Sequence, residues 1–232
     1  MEVDTQQLLL VLEYASGGSV VSMYQNFRPI PEHLFYQHAL GIARGLKHLH
    51  DHNVIHGDVK PENVLTRSDG SVALSDFGCS SLPVGADGTP CSTVGREVSS
   101  TSIGTDTGGD DSNYGSPTFQ LFGTAAYMAP EVILNEPCFK SDVWAYVCML
   151  VYMWTGILPW STIVEHFTIH DTIPLIFLIG NEDKLPYREE DILRTPRWLQ
   201  KLCAGVLERD VSKRFSITEV LALLAEYEHI CV

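Results

Sequence analysis

Apolar residues change their spacing along this 232-residue chain, and each spacing predicts an element. Residues 7–14 carry a nearly unbroken apolar run at 8–12, which suits a buried strand. The run ends in a turn of small residues, Ala15-Ser16-Gly17-Gly18. Beyond Pro31, the residues Leu34, Phe35, Ala39, Ile42, Ala43, Leu46 and Leu49 recur three and four apart. That spacing makes one apolar face of a helix reaching about His50, with Pro31 in its first turn. Two short runs follow, Val64-Leu65-Thr66 and Val72-Ala73-Leu74, separated by a turn that contains Ser68-Asp69-Gly70. They predict a β-hairpin.

The pattern then breaks. From residue 79 to about residue 121 the chain is rich in Ser, Thr, Gly and Asp, with few large apolar groups. Such a stretch cannot bury enough surface to offset its ordering entropy, which predicts a long mobile loop. Residues 142–154 are apolar nearly all round and predict a buried central helix. Pro174 can start a short helix through Ile179, and residues 196–207 and 216–227 form the last two. In the final helix Ile217, Val220, Leu221 and Leu224 share a face, with Ser216 or Thr218 as its N-cap. The sum is an α+β chain: a mostly helical lobe with a strand at one end and a small hairpin.

Composition narrows the function. A hydrophobic fraction of 45% supplies a sizeable core, and a net charge of −14 repels phosphate backbones and acidic membranes. No nucleic-acid partner is expected. The longest apolar stretch, residues 143–154, is shorter than the ~20 residues a bilayer requires, so no membrane insertion is expected. Six scattered cysteines with no CxxC pair, and no secretory leader ahead of them, predict reduced thiols in a cytoplasmic protein. His48 and His52 lie four apart on a helix end, a spacing that permits metal binding; a polar terminus favoured by the helix dipole is the better reading.

Three motifs carry chemistry. His56-Gly57-Asp58-Val59-Lys60-Pro61-Glu62-Asn63 lies between a helix and a strand; Asp76-Phe77-Gly78 follows the hairpin; Ala129-Pro130-Glu131 comes later. In this order they resemble the catalytic loop, the metal-binding triplet and the end of the activation segment of eukaryotic protein kinases. The fold implied is the C-terminal lobe of the protein-kinase-like fold. Residues 1–18 then correspond to the last strand of an N-terminal lobe and the hinge. Residues 19–232 form the C-terminal lobe, with an unstructured activation-loop insertion at roughly 85–117.

The resemblance implies a set of roles. Phosphoryl transfer needs an aligned acceptor and neutralised phosphate charge. Asp58 would accept or orient the proton of the acceptor hydroxyl, and Lys60 would sit by the γ-phosphate of ATP. Asn63 and Asp76 would hold Mg2+ through hard oxygens. Thr124 would hydrogen-bond Asp58 and Lys60 and seat the acceptor residue. Lys60 and Gly123-Thr124 resemble serine/threonine kinases rather than tyrosine kinases. Glu13-Tyr14-Ala15 resembles the hinge, with Leu12 controlling access behind adenine. The Glu13 carbonyl and the Ala15 backbone would face the purine, with Leu65 beneath it. Asp142 resembles the aspartate that braces the catalytic loop, and Glu131 with Arg214 the buried ion pair of the lobe.

Residues 13–20, 123–133 and Gly156-Ile157-Leu158-Pro159-Trp160 look like the MAP kinase kinase kinase group. The implied activity is ATP-dependent phosphorylation of protein Ser or Thr, with a downstream kinase as protein substrate. The alternatives are a scaffold that binds partners without catalysis and a small-molecule phosphotransferase; Glu62, Thr124 and the full activation segment argue against the second. Two departures stand out. Gly57 replaces the arginine that in many kinases pairs with a phosphorylated activation-segment residue, so phosphorylation of this loop has lost a docking partner. No glycine-rich loop or Val-Ala-Ile-Lys strand precedes Glu13, so the chain as given is expected to bind ATP poorly and to be inactive alone.

Overall fold

The computed structural model describes residues 11–83, 125–163, 172–181 and 183–231. The expected strand residues 7–10, the expected insertion at 85–117 and Thr124 lie outside them. Residues 11–15 belong to no strand. No neighbouring strand among the described residues takes their backbone hydrogen bonds, and Val11, Leu12 and Tyr14 are exposed. A run of apolar residues becomes a strand only beside a partner.

Helix α1, Val20–Asn26, is short and buries Val20 and Tyr24, one turn apart. It was not legible as a periodic segment, because seven residues hold only two turns of pattern. Helix α2, Glu32–Asp51, follows the predicted face, burying Phe35, Tyr36, His38, Ala39, Leu40, Ile42, Ala43 and Leu46. Pro31 sits one residue outside it, at the N-cap, with φ −59°. Strands β1, Val64–Thr66, and β2, Val72–Leu74, pair antiparallel with Leu65 opposite Ala73. Gly70, at φ +82°, turns the chain between them. The hairpin lies on α2, where a Cβ at Gly41 would sit 2.8 Å from the Val72 side chain.

The second half is helical: α3, Pro130–Ile133; α4, Phe139–Thr155; α5, Thr172–Asn181; α6, Glu189–Ile192; α7, Arg197–Val206; and α8, Ile217–Cys231. The predicted central helix is α4, whose residues from Ser141 through Val151 are all buried. An all-round apolar helix needs packing on every side, and α2, α7 and α1 supply it. Helix α5 begins at Thr172 rather than Pro174, which places the proline within the first turn, where its missing N–H costs nothing.

Buried phenols tie the layers together. Tyr146 Oη donates to the Ala39 carbonyl at 2.9 Å, Tyr187 Oη to Cys148 at 2.9 Å, and Tyr36 Oη to Leu224 at 2.6 Å. Trp198 packs against Phe35 and Tyr36, with centroids 5.3 and 5.6 Å away. Cys148 and Cys203 are buried in this core, and burial pushes the Cys203 thiol up to about 12. No helix among the described residues is long and apolar enough to cross a membrane.

Candidate active site

The site is assembled from the first turn of α4 outward. Asp142 is buried there, and its carboxylate faces the loop between α2 and β1. Its Oδ2 accepts from the His56 backbone N–H at 2.8 Å and lies 3.0 Å from His50 Nε2. Its Oδ1 accepts from the Gly57 N–H at 2.9 Å. A buried carboxylate must be satisfied by donors, and here two of them are main-chain groups of the loop. The helix therefore fixes the loop backbone just ahead of Asp58.

His56 carries that order across to the next segment. The Asp58 N–H donates to His56 Nδ1 at 3.3 Å, which leaves Nε2–H to donate to the Ser75 carbonyl at 3.1 Å. Ser75 in turn donates through its N–H and Oγ to the Asn63 carbonyl, at 2.8 and 3.0 Å. Asp76, the next residue, is thereby held beside Asn63. It adopts φ +60°, is exposed, and accepts from the Gly78 N–H at 3.2 Å. The Phe77 ring rests on His56, with centroids 5.2 Å apart.

Asp58 is 7% exposed and its two oxygens differ sharply. Oδ2 accepts from Lys60 Nζ at 2.7 Å and from Asn63 Nδ2 at 2.9 Å. Oδ1 is buried with no hydrogen-bond partner among the described residues. Asn63 Nδ2 also donates to the Asp58 carbonyl at 2.8 Å. Both amide hydrogens of Asn63 are thus engaged, and Oδ1 is the atom left for a cation. The amide oxygen of Asn63 and the exposed carboxylate of Asp76 are hard-oxygen donors of the kind that fits Mg2+, which keeps most of its shell for water and phosphate. Lys60 and Asn63 thus converge on Asp58 Oδ2, while Asp76 follows Ser75, the residue tied to the Asn63 carbonyl.

The segment that follows the expected hinge residues is held against β1. Gly17 N–H donates to the Thr66 carbonyl at 3.0 Å, Thr66 N–H to the Gly18 carbonyl at 2.8 Å, and Ser19 bridges Leu65. The Ala15 carbonyl accepts from the Gly18 N–H at 3.3 Å. Leu65 is half-buried, under the start of this loop. The Glu13 carboxylate meets Arg67 at 2.7 and 3.4 Å. That pairing was not expected, since nothing in the residue pattern links positions so far apart.

Further out, Arg214 donates through Nη1 and Nη2 to the two Glu131 oxygens at 2.6 and 3.0 Å, with both residues buried. Ser141 Oγ adds a third donor to Glu131 at 2.6 Å, and the guanidinium lies over Trp144. Elsewhere His48 and His52 stack at 4.3 Å, and His52 Nδ1 lies 2.7 Å from the His48 carbonyl, as suits a helix terminus.

Comparison with known proteins agrees with the geometry. The family model described as protein kinase domain matches residues 1–223. A mitogen-activated protein kinase kinase kinase of Pyricularia oryzae is 29% identical over 217 residues, covering 93% of this chain and 20% of the relative. Mitogen-activated protein kinase kinase kinase 3 of Arabidopsis thaliana is 28% identical, covering 94% of this chain and 28% of its own length. The serine/threonine-protein kinase SSK22 of Saccharomyces cerevisiae is 28% identical, covering 95% and 15%. The chain thus spans less than a third of the length of these relatives. A mostly helical lobe with a small hairpin among the described residues, a loop carrying Asp58 hung from Asp142, and above all a family model matching residues 1–223 establish that the chain belongs to the protein kinase family.

Proposed function

We propose that the protein carrying this chain transfers the γ-phosphoryl group of ATP to a serine or threonine hydroxyl of a protein, a downstream kinase in a MAP-kinase-type cascade. The observation that supports it best is the divided carboxylate of Asp58. Oδ2 is held by Lys60 and Asn63, while buried Oδ1 has no partner among the described residues. An unsatisfied buried acceptor costs about 1–3 kcal/mol, and an entering hydroxyl relieves that cost by donating to it. Asp58 then orients the hydroxyl oxygen for in-line attack and takes up its proton. As the new P–O bond forms and the bond to the β-phosphate oxygen breaks, the Lys60 ammonium faces the charge that develops.

Asn63 Oδ1 and the Asp76 carboxylate would hold Mg2+, which supplies charge neutralisation at the phosphates. The Glu13 carbonyl and the Ala15 backbone would meet the purine edge, with Leu65 against its face. Thr124 would seat the acceptor. In this reading residues 1–18 are hinge and last N-lobe strand, and residues 19–232 the C-terminal lobe.

The test is Asp58→Asn in the full-length protein. Phosphotransfer falls by roughly 10²–10⁴-fold while thermal stability is kept. Undiminished transfer overturns the assignment. A wild-type protein that binds a kinase partner but transfers no phosphate supports the scaffold reading instead.

A further inference from the structure

Gly57 stands where the family resemblance calls for arginine, and its surroundings explain why a side chain is absent. Its backbone is left-handed, with φ +77°. A Cβ built on it would lie 2.6 Å from the Cys79 carbonyl oxygen and 3.4 Å from the carbonyl carbon. The obstacle is main chain, which cannot rotate aside as a flexible side chain can. Gly57 cannot retreat either, because its N–H is held by Asp142 at 2.9 Å.

The Cys79 segment is fastened to the same loop on either side of this contact. Ser75 is tied to the Asn63 carbonyl on the side of Asp76. On the far side, Ile55 and Ser81 exchange backbone hydrogen bonds of 2.8 and 3.0 Å, and Ser80 Oγ donates to the His56 carbonyl at 3.2 Å. Between these ties lie Asp76, in its own left-handed conformation, and Phe77 against His56.

We infer that Gly57 is a positioning residue: the space left by its missing side chain lets the Cys79 carbonyl close on the catalytic loop, and this contact sets Asp76 relative to Asp58 and Asn63. The inference rests on the proposed roles of those three residues. A side chain at position 57 displaces Cys79, strains the Ile55–Ser81 exchange and moves the carboxylate at Asp76. The arrangement is reached by backbone packing, so restoring arginine at position 57 does not improve it.

Three variants of the full-length protein test this: Gly57→Ala, Gly57→Arg and Gly70→Ala. Gly70 has nearly the same left-handed φ, +82°, but nothing within 4 Å of an added Cβ, so it isolates the backbone cost from the clash. Gly57→Ala is expected to raise the Mg2+ concentration for half-maximal phosphotransfer on the order of tenfold, and Gly57→Arg by more. Gly70→Ala keeps the wild-type Mg2+ dependence. Amide hydrogen exchange gives a readout free of activity: Ile55 and Ser81 lose protection in both Gly57 variants and keep it in Gly70→Ala. Unaltered Mg2+ dependence and exchange in Gly57→Ala overturn the inference, as does a gain of activity in Gly57→Arg. If wild type transfers no phosphate, the kinase reading fails, and exchange at Ile55 and Ser81 still decides the role of Gly57.

Discussion

Single residues here act through what burial does to their charge. Arg214 and Glu131 are buried as a bidentate pair with Ser141 and two carbonyls completing their hydrogen bonds. Removing one partner strands the other charge away from water. Arg214→Ala is expected to cost roughly 3–5 kcal/mol, read as a fall in the unfolding midpoint; an unchanged midpoint refutes it. His38 is buried between Tyr24 Oη, 3.0 Å from its Nδ1, and the Gly70 backbone. Burial holds its pKa below the ordinary value, with the Gly70 hydrogen bond opposing in part. The unfolded chain therefore binds a proton that the folded one resists. Stability from this site is complete above the unfolded value near ~6.5 and falls as pH drops from there toward the lower folded value. His38→Gln should flatten the slope of melting temperature against pH below that value; an identical slope in both proteins counts against the assignment. The motif residues Asp58, Asn63 and Asp76 were legible as letters in order. The difference between the two oxygens of Asp58 was not, because it depends on Lys60 and Asn63 folding back across the loop.

Elements were legible wherever their pattern was long enough to repeat. Helix α2 and the hairpin lie within a residue of their predicted bounds, since a helical face or a flanked β run needs only local spacing. Short α1, α3 and α6 offered too few turns to show a period. The start of α8 left Ser216 and Thr218 as alternatives, and the structure selects Ser216. Its N–H and Oγ donate to Glu219 Oε2 at 2.7 and 2.8 Å, while Glu219 N–H lies 3.4 Å from Ser216 Oγ. That is a capping box, and the hydrogen bonds from Ser216 hold the Glu219 carboxyl below its usual value. Ser216→Ala should cost about 1 kcal/mol of stability, measured by urea unfolding; no change in midpoint rules out the cap. Val11 and Leu12, the described end of the apolar run at 8–12, join no ladder among the described residues. Strand propensity is realised only by a partner, which local spacing cannot supply.

At the scale of the whole molecule, one carboxylate couples the core to the candidate site. Asp142 belongs to α4, the most buried helix, yet its oxygens hold the backbone of His56 and Gly57. Asp142→Asn keeps the size but turns an N–H₂ toward a donor. It is expected to lower stability by about 1–3 kcal/mol and to reduce kcat, and a variant with wild-type kcat and melting temperature argues against the brace. The residue types of the candidate site, their order and the helical character of the lobe were determined by sequence alone, because motifs and periodicity are local properties of the chain. Tertiary structure decided the rest: which oxygen of Asp58 is left open, which serine ties Asp76 to Asn63, and how the Cys79 carbonyl comes to fill the space beside Gly57. Those features join residues distant along the chain, and their distances are set only when the core around α4 closes.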